Sequence, residues 1–253
     1  MKKTLIKRLN QINKSFYQQT ATSFSDSRSY YWQGWNKLVP YLQELAAAHD
    51  QQLTILDIGC GNGRFGAFIA EQLPALKINY YGFDNNQELL QIAQEQPAIK
   101  TIKSQFIKLD LVEALLKEEL LTQLQSFKAN FITALGVLHH IPSFELRQQF
   151  VNDLTAAVTQ PGFVSFTTWN FLKQRRFEKK IMDPSLVNLD PAELEENDVI
   201  LDWKRGEQAF RYCHYTAKAE LDQLIAGSGL EESSRFKADG KTGRLNTYTV
   251  LKK

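Results

Sequence analysis

The sequence predicts an α/β fold whose seven-stranded sheet has five parallel strands and an antiparallel C-terminal hairpin, with helices on both faces. Three observations predict it. From residue 53 to residue 168, short β-rich runs alternate with stretches of helical periodicity, as crossover helices between parallel strands require. A glycine-rich turn, Gly59-Cys60-Gly61-Asn62-Gly63, joins the first β run to a helix. Two more β runs near the C-terminus flank Asp239-Gly240 and Gly243, residues suited to a hairpin turn.

The elements follow in order. Leu5, Ile6, Leu9, Ile12 and Phe16 recur at three- and four-residue steps and give one helix an apolar face. A polar break is expected at Thr20-Ala21-Thr22-Ser23, then an aromatic cluster of Tyr30, Tyr31, Trp32 and Trp35, then a helix over 35–49. Strands are expected at 53–58, 78–83, 101–109, 130–135 and 163–168. The intervening helices are expected at 64–71, 87–94, 112–124 and 144–158. Residues 171–211 are charged, contain Pro184 and Pro191, and look like an insertion. A helix over 217–226 stops at Gly227-Ser228-Gly229, and strands at 231–237 and 245–251 form the hairpin. These segments read as one domain: an N-terminal helical lid (1–50), a cofactor-binding core (51–170), an insertion suited to substrate recognition (171–211) and a C-terminal helix and hairpin (212–253).

Composition narrows the class. Of 253 residues, 43% are apolar and 23% charged, which excludes wholesale disorder. Two cysteines, Cys60 and Cys213, are too few for a disulfide framework or a thiolate metal site. No apolar run approaches the ~20 residues of a membrane span. Lys7 and Arg8 interrupt the opening apolar stretch too early for a signal peptide, so a cytoplasmic location is expected. Net charge is +2, with basic flanks and a mildly acidic middle. That distribution permits nucleic-acid contact without demanding it.

The glycine-rich turn carries the chemistry. Gly61-Asn62-Gly63-Arg64-Phe65-Gly66 also fits the dinucleotide pattern G-x-G-x-x-G. Asp57 decides against it: a carboxylate two residues before the first glycine would repel a pyrophosphate. It suits a ligand with an ammonium group, such as S-adenosylmethionine. Asp84, 21 positions after Gly63, ends the second strand, where a carboxylate accepts from both ribose hydroxyls. Asp110 ends the third strand and is placed either to accept from an adenine amino group or simply to cap a helix. Three acids at three successive strand ends make one ligand site.

Asp57 to Gly63, Asp84 and the segment Leu135-Gly136-Val137-Leu138-His139-His140-Ile141 resemble class I S-adenosylmethionine-dependent methyltransferases, over about residues 50–170. The resemblance implies a Rossmann-like methyltransferase sheet. It also implies a cofactor site drawn from Arg28, Trp32, Asp57, Gly59, Cys60, Gly61, Asn62, Gly63, Asp84, Asn85, Asp110, Leu111 and Leu135. A narrower likeness lies at the two ends. Residues 16–28 with Trp32, and Arg211-Tyr212-Cys213-His214-Tyr215 with Glu220-Leu221, are similar to the tRNA wobble-uridine carboxymethyl methyltransferases. This implies tRNA as substrate, a carboxylate converted to its methyl ester, and a small activator subunit as partner. Ile132 and Trp169-Asn170-Phe171 depart from the family's pattern.

Catalytic residues are few in such a reaction. An ionised carboxylate acceptor needs no base, only a cation to place it, and Arg211 or Arg28 suits that role. A hydroxyl or amine acceptor would need a base, with His139 or His140 the nearest. Adjacent histidines send their side chains apart, and the cysteines are distant in sequence, so no metal is expected. Cys60 reads as a small filler of the turn and Cys213 as a partly buried thiol. Residues 171–180 hold five basic residues interleaved with aromatics, and Trp203-Lys204-Arg205 and Arg211-Tyr212 repeat the composition. Such a run is either a solvated helix face or an RNA contact. Two other readings remain: a small-molecule methyltransferase, and a cofactor-binding subunit without activity.

Overall fold

A computed structural model describes residues 1–27, 30–203 and 208–253. Helix α1 (Lys3–Asp26) leads through a 3₁₀ turn at Gln33–Lys37 into α2 (Val39–Ala48). The wound core then runs β1 (Gln52–Ile58), α3 (Arg64–Gln72), β2 (Lys77–Asp84), α4 (Gln87–Glu95) and β3 (Lys103–Lys108). It continues through α5 (Leu111–Leu116), α6 (Leu120–Gln125), β4 (Phe131–Ala134), α7 (Phe144–Ala157) and β5 (Phe163–Trp169). A short α8 (Arg175–Glu178) precedes β6 (Ile181–Met182), β7 (Asp198–Trp203) and β8 (Ala209–His214). The chain ends with α9 (Lys218–Gly227), β9 (Glu231–Ala238) and β10 (Asn246–Lys252).

The main sheet has seven strands in the order β3-β2-β1-β4-β5-β10-β9. Strands β1 to β5 are parallel, and β10 runs antiparallel between β5 and β9. This is the sheet predicted from the alternation of runs. Period-two side chains divide β1 between two cores: Leu53 and Ile55 pack with α2 and α3, whereas Leu56 and Ile58 pack with α5, α6, α7 and α9. The order reverses between β1 and β4, and a ligand crevice opens beyond the carboxyl ends of the strands at such a switch point.

Several boundaries differ from expectation, each for a local reason. The polar stretch at 20–23 does not break α1, because Thr20 Oγ1 donates to the Phe16 carbonyl and Ser23 Oγ to that of Thr20. The helix expected over 112–124 is two helices, since Glu118 takes a left-handed φ of 58° between them. The helix expected from residue 35 starts as a 3₁₀ turn and becomes α-helical at Val39, with Pro40 in its first turn.

The insertion is more ordered than its composition suggests. Strands β6, β7 and β8 form a second, antiparallel sheet, and β8 crosses the boundary drawn between residues 211 and 212. Leu5 and Leu9 of α1 pack on Leu189, Ile200 and Tyr212 of this unit. A buried polar network fastens it to the core. His214 bonds Asp198 at 2.8 Å through Nδ1 and Glu220 at 2.7 Å through Nε2. Arg147, whose side chain is 1% exposed, pairs with Glu220 at 2.7 Å and with Glu195 at 2.9 Å. Among the described residues no helix is long and apolar enough to cross a membrane.

Candidate functional site

One cavity of about 710 Å³ opens at the switch point, walled by α1, the ends of β1, β2 and β4, and the insertion. The glycine turn forms its floor. The amides of Gly59 and Cys60 donate to the Phe83 carbonyl at 2.7 and 2.9 Å, which folds the turn back over the end of β2. Gly63, with φ 76°, starts α3 where a Cβ would stand 2.8 Å from that of Ala93. Gly61, with φ 55°, has nothing within 4 Å of a Cβ position, so bare backbone faces open space there. That is a cradle for a ligand that must approach the main chain.

Two acids sit beside this cradle. Asp84 accepts from the Gly61 amide and the Asn86 amide, both at 2.9 Å. Burial raises its pKa, and these amides act against the rise. Asp57 is 2% exposed and accepts from the Tyr80 hydroxyl at 2.5 Å. Burial lifts its pKa to about 7, Asp84's charge adds to the rise, and the Tyr80 bond and Arg64 oppose it. Cys60 also lines the cavity, but burial pushes its thiol well above the ordinary value, in keeping with a filler.

The structure brings together most of the residues named from sequence. Trp32, Asp57, Gly59, Cys60, Gly61, Asn62, Asp84, Asn85, Leu111, Leu135, His139, His140 and Arg211 all line the cavity. Gly63 contributes as the start of α3. Arg28 lies outside the described residues, as do Lys204 and Arg205. Asp110 does not join the cavity wall. Its carboxylate caps α5 through the Glu113 amide, bonds Asn10, and pairs with Lys14 at 2.9 Å.

The two histidines require a correction. Their rings do not diverge: the centroids are 4.1 Å apart, because the Leu138–His140 turn is a tight 3₁₀ helix. Cys213, distant in sequence, comes within 4.0 Å of His140 Nδ1 and is fully rather than partly buried. His139, His140 and Cys213 therefore place potential metal-ligand atoms within 4.8 Å of one another. His140 is nevertheless committed elsewhere. Its Nδ1 lies 3.1 Å from the Tyr212 carbonyl and its Nε2 2.9 Å from the Tyr17 hydroxyl. The carbonyl only accepts, which favours a proton on Nδ1 with Nε2 accepting from Tyr17, although the Asn13 Nδ2 donor lies 3.3 Å from the same Nδ1. Burial, and secondarily the charge of Arg211, depress the His140 pKa to about 3.

Arg211, on β8, also lines the cavity. It is 8% exposed, and its guanidinium lies 4.8 Å from the Trp169 ring, 5.3 Å from Phe16 and 6.0 Å from Trp203. It pairs with no carboxylate among the described residues. The cavity thus holds two acids and Arg64 at the glycine turn, and a further cation, Arg211, in an aromatic box on the insertion.

Asn13, Tyr17 and Arg64 also line the site and were not singled out from sequence. Asn13 Oδ1 accepts from the Tyr212 amide at 2.9 Å, and Arg64 donates to the Tyr30 carbonyl at 2.6 Å while lying over Trp35 at 5.3 Å. A polar residue recurring on the apolar face of α1, as Asn13 does four positions before Tyr17, was the available signal.

Comparison with known proteins bears on the family and the fold. A tRNA (carboxymethyluridine(34)-5-O)-methyltransferase of Arabidopsis thaliana is 24% identical over 172 residues, which are 65% of this chain and 35% of that protein. The chain therefore spans about a third of that relative's length. A solved methyltransferase structure from Methanosarcina mazei superposes with a TM-score of 0.55 at 16% identity, covering 80% of this chain and 93% of that one. CalS10, an amino pentose methyltransferase from Micromonospora echinaspora, gives 0.53 at 13% identity, covering 91% and 95%. Both likenesses are of fold. Residues 29–233 match the family described as "Methyltransferase domain", and the chain belongs to that family.

Proposed function

We propose that the chain transfers the methyl group of S-adenosylmethionine to a carboxylate, that of a carboxymethyl-type uridine in a tRNA anticodon loop. The sulfonium of the cofactor supplies an already activated methyl group. The chain's own residues then bind and orient. Asp57 would accept from the cofactor's ammonium group, Asp84 from its ribose hydroxyls, and the bare backbone at Gly61 would let it lie against the turn.

The observation that carries the acceptor class is Arg211, a buried cation without a carboxylate partner among the described residues, held between aromatic rings in the same cavity. A buried charge left unpaired is costly, and an anionic acceptor would relieve that cost. As a base His140 is the weaker reading, since it spends a ring nitrogen on Tyr17. The tRNA reading is supported by the two terminal motifs and by the relative from Arabidopsis thaliana.

The test is incubation with methyl-labelled cofactor and tRNA carrying the free carboxymethyl group. Label should enter RNA and leave as methanol in mild alkali, as an ester must. Label in RNA that resists alkali would exclude the carboxylate acceptor. Label confined to small molecules would remove tRNA.

A further inference from the structure

Two further cations of the cavity, Arg176 and Lys180, stand in order on the insertion. Arg176 Cζ lies 4.7 Å from the centre of the Phe177 ring, and Lys180 Nζ lies 6.0 Å from the same ring. Lys180 is also 6.0 Å from the Trp203 ring, and Arg211 lies 6.0 Å from that ring as well. Cations and rings therefore alternate along one wall, from exposed Arg176 at the rim to buried Arg211 inside. Arg176 has no carboxylate partner among the described residues. The acids of the cavity, Asp57 and Asp84, are taken up by Tyr80 and by backbone amides at the other end.

A ligand matching this wall carries an anion at each end of a flat ring system. A nucleotide whose base bears an acid has that form: its carboxylate and its phosphate lie on opposite sides of base and sugar. Aromatic rings between the cations offer stacking surface for the base. Partly solvated cations at a rim suit a phosphate, which keeps much of its hydration while fixing position and register.

We infer that Arg176 and Lys180 form a phosphate subsite for the acceptor, so that the chain selects a phosphorylated nucleoside over the bare nucleoside. This deepens the reading above and rests on it. Arg211 meets the acid that is methylated, and the rim pair meets the phosphate adjoining that nucleotide. Charge-assisted hydrogen bonds of this kind change affinity at least about tenfold.

The experiment uses the full chain, labelled cofactor and four acceptors: 5-carboxymethyluridine, its 5′-monophosphate, its 3′-monophosphate, and tRNA carrying the same group. One monophosphate should exceed the nucleoside in kcat/KM at least about tenfold, through KM. In the double variant Arg176→Ala, Lys180→Ala that ratio should fall towards one, while Arg176→Lys keeps part of it. Coincident thermal melting would show that the variants fold. Equal kcat/KM for nucleoside and both monophosphates would overturn the subsite. So would a preference that survives in the double variant. If wild-type protein esterifies none of the four, including tRNA, the carboxylate reading itself falls and the subsite with it. That outcome is distinct because it appears without any mutation.

Discussion

Asp57 is a carboxylate enclosed by the end of β1, with a second carboxylate, Asp84, among the charges that act on it. Burial and that neighbour leave it half protonated near neutral pH, since its pKa rises to about 7. Only the ionised form attracts an ammonium group, so with Asp57 holding the cofactor as proposed, binding draws from the deprotonated fraction. Affinity for S-adenosylmethionine should therefore rise about eightfold between roughly pH 6 and pH 7.5 for a single group of this pKa. Calorimetry across that range checks it, and Asp57→Asn should lose both affinity and the pH dependence. A flat profile in the native protein would show Asp57 permanently ionised. The sequence made the position of Asp57 legible, because the first glycine follows two residues later. Its protonation was not legible, since that depends first on burial, and then on Tyr80, whose bond opposes the rise and forms only once β2 pairs with β1. Asp110 is the reverse case. The strand-end position was read correctly, but Lys14 and Asn10 of α1 claim the carboxylate from 96 and 100 positions away.

Elements that periodicity describes were legible; elements that other elements define were not. The helix faces and the five parallel strands follow from local spacing alone. Strands β7 and β8 carry charged residues that look like surface until they pair, and His214 of β8 meets Glu220 of α9, which Arg147 of α7 also holds. The network of Arg147, Glu195, Asp198, Tyr212, His214 and Glu220 gives this joint a pH signature. Burial alone would lower the His214 pKa, but its bonds to Asp198 and Glu220 overcome that and raise it above 6.5. Burial opposes ionisation of Glu220, yet His214 and Arg147 hold its pKa below 4.5. A raised histidine stabilises fully below its unfolded value and loses that contribution as pH rises through its folded value. A lowered glutamate stabilises above its unfolded value and loses that as pH falls. The joint should therefore contribute most between about pH 4.5 and pH 6.5 and weaken on either side. Urea unfolding from acid to mildly alkaline pH should show the alkaline decline, and His214→Gln should remove it. An unchanged pH slope in that variant would place the titration elsewhere.

At the scale of the molecule, a net charge of +2 is too small to draw RNA from a distance, so any attraction must be local. The sequence located the basic run but could not say whether it faced the cavity. In the structure Arg176, Phe177 and Lys180 line the cavity, and Lys173, Arg175 and Arg176 are exposed. In the proposed arrangement the cofactor meets the acids of the glycine turn and the acceptor meets the cations of the insertion. Their binding should respond to salt differently. Neutralised phosphates release counterions, so tRNA affinity should fall steeply with salt, while cofactor affinity, set by short buried contacts, should hardly move. Changing Lys173, Arg175 and Arg176 together to Ala should weaken tRNA binding and lower the log–log salt slope by about two, at roughly 0.7–0.9 per lost phosphate contact. Cofactor affinity measured in the same variant should stay within error of wild type, which separates a lost RNA contact from a damaged fold. A triple variant with an unchanged salt slope would return these residues to an ordinary solvated face and move the RNA contact to another surface.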